Sequence, residues 1–144
     1  MKLTIVTHSM KKLILYCLTA FILFSSCKKD NNSPVIDTTV EVRILNATTW
    51  TFFDCTADPT GVLSATGGSN AHNYGQVDVN AHSSYHSFPL AYRYSWINLT
   101  MNNKTYRIQP FDYVGETPLT TGKYTYKLTY NSTSDLLNLQ LIKE

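Results

Sequence analysis

Apolar and polar residues alternate along most of the chain after residue 39, and little else in the sequence is as regular. Val40, Val42 and Ile44 alternate with Glu41 and Arg43, with Leu45 out of phase, which is the period-2 pattern of a half-buried strand. Further strands are predicted at Trp50–Cys55, Tyr74–Val79 and, more weakly, Tyr85–Phe88. Tyr94–Met101 and Lys104–Pro110 flank Asn102-Asn103, a pair suited to a tight hairpin because asparagine tolerates positive φ. The clearest stretch comes last. Tyr124, Tyr126, Leu128 and Tyr130 share one phase, and after the turn at 131–135 Leu137, Leu139 and Leu141 share another. This predicts a hairpin with one apolar face on each strand. No segment in this part of the chain shows sustained helical periodicity. Seven to nine short strands in roughly a hundred residues predict an all-β fold, a single two-sheet antiparallel β-sandwich at 40–144.

Patterning differs at the start. Lys11 and Lys12 precede an uncharged apolar run from Leu13 to Phe24, then Ser25, Ser26 and Cys27. Twelve helical residues cover about 18 Å against a hydrocarbon core of about 30 Å, so the run is too short to span a bilayer. Basic start, apolar middle and small-residue end read as a secretory signal. Met10 directly precedes the lysines, which makes it the expected start of translation.

Phe24-Ser25-Ser26-Cys27 resembles the lipobox of bacterial lipoproteins, with Phe24 where leucine is usual. That resemblance implies diacylglyceryl transfer to the Cys27 thiol, cleavage before Cys27 and acylation of the new N-terminus. Residues 1–26 are then signal peptide and 27–39 a lipidated flexible tether. The Cys-Lys-Lys-Asp opening is similar to that of small outer-membrane lipoproteins in Bacteroidetes-type bacteria, and it implies an outer-membrane anchor with the cell-surface and periplasmic faces both open. Asp37-Thr38-Thr39 resembles the O-glycosylation sites of such bacteria. Leu119-Thr120-Thr121-Gly122-Lys123-Tyr124 resembles a turn of transthyretin-like sandwiches. Its Gly-x-Tyr spacing would equally serve the tyrosine corner of an immunoglobulin-like domain, where the phenol bonds back to upstream backbone.

Charge and cysteines narrow the partners. Three of the twelve basic residues and none of the ten acidic ones precede Cys27, which leaves the remainder at a net charge of −1. A near-neutral chain without a basic stripe argues against nucleic acid and against electrostatic docking on anionic lipid. With Cys17 in the signal and Cys27 acylated, Cys55 stands alone, so no intramolecular disulfide is expected. Its aromatic neighbours predict a small buried hydrophobe.

Reactive clusters are thin. His82 and His86, spaced as on a strand, lie ~13 Å apart, too far to share one ion through ~2 Å bonds. No metal and no cofactor are expected. Ser83, Ser84 and Ser87 near His82, His86 and Asp78 suit a polar loop better than a triad assembled side by side in sequence. Asp54 and Asp58 flank Pro59-Thr60-Gly61 as turn caps, without calcium-loop spacing. Asp112 and Glu116 could act as an acid and base only if their loop brought them together. Aromatics are the one excess, most of them expected in the core. Trp50, Tyr74, Tyr85, Tyr92, Tyr94 and Tyr113 are candidates for an exposed platform that stacks sugar rings or a partner. The expectation is a membrane-tethered, non-catalytic domain binding a glycan or envelope protein. The alternatives are a structural accessory subunit of an outer-membrane complex, and a hydrolase whose His82 and His86 meet an acid.

Overall fold

Eight strands account for the alternation: β1 (Val40–Asn46), β2 (Phe52–Asp58), β3 (His72–Val77), β4 (His86–Phe88), β5 (Trp96–Met101), β6 (Lys104–Ile108), β7 (Gly122–Asn131) and β8 (Leu136–Lys143). The computed structural model describes residues 39–62, 64–65 and 67–144. The chain divides into two units, Met1–Val35 and Ile36–Glu144, and the strands belong to the second. The signal segment, Met10, Cys27, the tether and Asp37-Thr38 lie outside the described residues.

The strands form two four-stranded sheets, ordered β4-β1-β7-β8 and β3-β2-β5-β6, packed as a two-sheet β-sandwich. Every pairing is antiparallel except β1 with β7, which run parallel from Val40↔Gly122 to Asn46↔Leu128. These two strands are distant in sequence, and the alternation that finds a strand carries no information about its partner's direction.

Both predicted hairpins form. Asn102 and Asn103 take φ of 48° and 56°, the geometry of a two-residue hairpin turn. In the last hairpin Tyr126 pairs with Leu141, Leu128 with Leu139 and Tyr130 with Leu137, so the apolar phases of the two strands share a face. Strand limits elsewhere shift by a few residues. The segment expected at Trp50–Cys55 runs from Phe52 to Asp58 and carries a bulge, with Asp54 at φ 50° and the register shifting on both neighbours. The extra residue turns both Phe52 and Cys55 inward, three positions apart, where strict alternation would expose one of them.

The core between the sheets combines Val42, Ile44, Tyr126 and Leu128 with Phe52, Cys55, Ile97 and Leu99. Cys55 is fully buried, and burial pushes its thiol up to about 12. The Tyr124 hydroxyl donates to the Thr120 carbonyl 3.0 Å away, the upstream backbone bond expected of a tyrosine corner. Asp135, at the turn between β7 and β8, accepts from Lys104, Tyr106 and Tyr130 and so ties the two sheets together at that end.

The two ends of the sandwich differ. At one, the two hairpin turns and the β1–β2 and β3–β4 connections meet around Asn46, Met101 and Asp135. At the other, the connections 59–71, 89–95 and 109–121 gather beyond Asp58, Trp96 and Ile108, where β1 also begins.

Candidate functional site

The three long connections cohere through a few buried polar bonds. Asp58 closes β2 with no exposed surface, and its carboxylate accepts from Thr60 N (3.0 Å), Thr60 Oγ1 (2.6 Å) and Gly68 N (2.7 Å). It caps the turn, as its place before Pro59-Thr60-Gly61 suggests. Only glycine fits at 68, because a Cβ there would sit 2.5 Å from Asp58 Oδ2. Tyr92 N donates to Pro59 O, Leu119 N donates to Ala91 O, and the Tyr126 hydroxyl donates to Tyr92 O. Together these join all three connections to the core.

Tyr92, Tyr94 and Tyr113 come together on this framework. The Tyr92 and Tyr113 rings pack at 5.0 Å and form the inside of the loop cluster. Burial first, then the charges of Asp58 and Tyr92, push the Tyr113 phenol up to about 12. Tyr94 stands outside, 39% exposed, with the Arg93 guanidinium 4.9 Å from its ring centre. Beside it runs a groove of about 640 Å³ whose apolar floor is Leu119, Leu139 and Leu141 and whose rim includes Arg93, Glu116 and Gln140. A second hollow of about 310 Å³ adjoins it, sharing Tyr94 and Glu116 and reaching Phe111 and Asp112.

The other three aromatic candidates lie elsewhere. Trp50 packs edge-on against Tyr130 at 5.2 Å at the opposite end. Tyr74 donates its hydroxyl to Val42 O across the sandwich, and burial raises its phenol pKa. Tyr85 lies on the outer face of the first sheet, where Arg43 and Lys123 both approach its ring. The six candidates therefore divide, with Tyr92, Tyr94 and Tyr113 at the loop end and Trp50, Tyr74 and Tyr85 apart from them. The six come from different strands and connections, and their common chemistry is no guide to a common location.

The histidines are rearranged too. His86 meets His72, not His82: the two imidazoles stack at 3.6 Å with planes 6° apart, joining the edge of one sheet to the edge of the other. Imidazole lone pairs lie in the ring plane, so two parallel stacked rings cannot direct them at one ion. His82 instead forms an isolated bridge with Leu45. Ser83 is a structural group, accepting from Ile44 N and donating to Ser84 O. Among the described residues, no hydrogen bond joins Ser83, Ser84 or Ser87 to a histidine, and no group of three or more His, Cys, Asp or Glu side chains is placed to hold a metal ion. Asp112 Oδ1 accepts from Val114 N at 3.2 Å, and Asp112 and Glu116 both line the smaller hollow.

Arg93, Gln140 and the leucine floor were not legible as site residues. The signals for this region were the aromatic candidates Tyr92, Tyr94 and Tyr113 and the acids Asp112 and Glu116. No protein-family model and no curated protein matches this chain. Among solved structures, one described as the NMR structure of the protein from Eubacterium rectale is similar over 74% of this chain and 89% of that chain, at 9% identity and a TM-score of 0.49.

Proposed function

We propose that this is a lipid-anchored protein of the bacterial cell envelope, held at the outer membrane through Cys27. Its β-sandwich is a non-catalytic binding domain with the groove beside Tyr94 as its binding site and a glycan as its ligand. The observation that carries the reading is the composition of that groove. An exposed tyrosine ring and a leucine floor offer flat apolar contact to the C–H faces of sugar rings, and Arg93, Glu116 and Gln140 offer donors and acceptors to the hydroxyls at their edges. Ser83 and His86, the candidates for a hydrolytic site, are each engaged in structural contacts.

The full-length chain displayed on a glycan array, with a pull-down from intact envelopes, tests this. Retention of a defined class of glycan, weakened by Tyr94→Ala and by Glu116→Gln, is the expected result. Silence in both assays would overturn it. A second reading, an accessory subunit of an outer-membrane complex, is favoured by β8: it is an eight-residue strand at the edge of its sheet, with Leu136 and Ile142 exposed. Such an edge can take a further strand from a partner. Crosslinking and co-purification that capture a constant protein partner through β8 would favour this reading.

A further inference from the structure

The two most exposed large hydrophobic side chains among the described residues are Phe111, 95% exposed, and Val114, 89% exposed. They lie three positions apart in the 109–121 connection, and neither belongs to the core. The segment that presents them is ordered by its own bonds. Asp112 Oδ1 accepts from Val114 N at 3.2 Å, Glu116 N donates to Tyr113 O at 3.1 Å, and the Tyr113 ring is wedged against Tyr92. Gly115 takes φ 79°, a conformation that glycine adopts without strain. The two side chains are therefore held outward by a structured turn.

Their position relative to the start of the sandwich identifies what they meet. Val40, the first residue of β1, pairs directly with Gly122, the residue at which the 109–121 connection returns to the sheet. The end of the domain bearing Phe111 and Val114 is thus the end at which the chain enters it. Twelve residues, 28–39, separate that point from Cys27, a span of at most ~40 Å. A domain on so short a leash meets the bilayer at high effective concentration, so a contact too weak to retain a free protein is enough to orient a tethered one. The charges around the tip are mixed, with Arg93 against Asp112 and Glu116, which suits zwitterionic headgroups and gives no attraction to anionic ones.

We propose that Phe111 and Val114 form a membrane-contact tip that enters the interfacial layer of the lipid bilayer holding the anchor. The inference rests on the lipid-anchor reading above, and the test separates the two. The processed full chain is reconstituted into phosphatidylcholine vesicles containing nitroxide-labelled lipid. An environment-sensitive fluorophore is placed on Val114→Cys or, at the opposite end of the sandwich, on Ser132→Cys. Cys55 is buried and does not compete for label. Both labelled proteins are expected to float with the vesicles. The fluorophore at 114 should be blue-shifted and quenched several-fold more strongly than that at 132, and adding Phe111→Ser should reduce the quenching at 114. Flotation with equal, weak quenching at both positions would overturn the tip alone. Failure of both proteins to float would overturn the anchor reading, and the tip with it. Unchanged circular dichroism of the variants confirms that each comparison is made on folded protein.

Discussion

Asn46 shows how much a single residue can carry that alternation does not reveal. It follows Val42 and Ile44 in the inward phase and is fully buried, where the pattern calls for an aliphatic side chain. Its amide uses every hydrogen-bonding position it has. Nδ2 donates to Trp50 O (2.8 Å) and Val77 O (2.9 Å), while Oδ1 accepts from Thr48 N (3.0 Å) and Thr48 Oγ1 (2.8 Å). It thereby fixes the β1–β2 connection and secures the end of β3 on the other sheet. Asn46→Ala would take from the Thr48 amide and the Val77 carbonyl the partner Asn46 supplies, while the Trp50 carbonyl keeps the Thr48 hydroxyl 3.0 Å away. A loss of about 2 kcal/mol is expected, read as a lower urea midpoint. Cys55 makes the opposite case, since its aromatic surroundings in sequence already marked it as buried. Because its thiol is both inaccessible and held protonated, iodoacetamide should leave Cys55 unmodified in native protein. Peptide mapping should find it alkylated only after denaturant is added.

Among the elements, legibility followed length. β7 and β8, ten and eight residues whose alternation is broken only by Leu136 and Ile142 near the ends of β8, were readable with their shared face. β3 and β4 were expected at Tyr74–Val79 and, more weakly, Tyr85–Phe88 and form at His72–Val77 and His86–Phe88, but the contact that joins their edges went unseen. The His72–His86 stack depends on two strands in different sheets. Tyr74 packs edge-on against His72 at 4.8 Å, and Phe88 likewise against His86 at 4.8 Å. Burial, and then the charge of His86, lower the pKa of His72 below its ordinary 6.5. Folding therefore favours the uncharged ring, and the unfolded chain takes up the proton first as pH falls. This contribution to stability is complete above the unfolded value, is lost as pH drops from there through the depressed folded value, and changes no further below it. Stability should therefore decline as pH falls through and below the ordinary histidine value of 6.5. His72→Phe, which keeps a flat aromatic ring and removes the proton, should flatten that decline. An unchanged slope in pH-dependent urea titrations would show that the pair does not set it.

For the whole molecule, the anchor reading comes from the sequence and the arrangement of the loop end from the fold. Metabolic labelling with a clickable palmitate is expected to mark the chain, and Cys27→Ala to abolish both the label and membrane retention. Labelling that survives the substitution would remove the basis for placing this domain at a membrane. Deleting codons 1–9 should leave export intact if translation begins at Met10.

Taken alone, the sequence determined the class of structure. Period-2 alternation is a local property: each strand needs one face buried, and its own residues record which face that is. The same local logic made the two hairpins readable, because their partners are neighbours in the chain. Tertiary structure alone decided the parallel pairing of β1 with β7, the bulge that turns Cys55 inward, the meeting of His72 with His86, and the gathering of Tyr92, Tyr94 and Tyr113 without Trp50, Tyr74 and Tyr85. Each depends on contacts between residues far apart in the chain, and a pattern read over a few positions has no term for such distances.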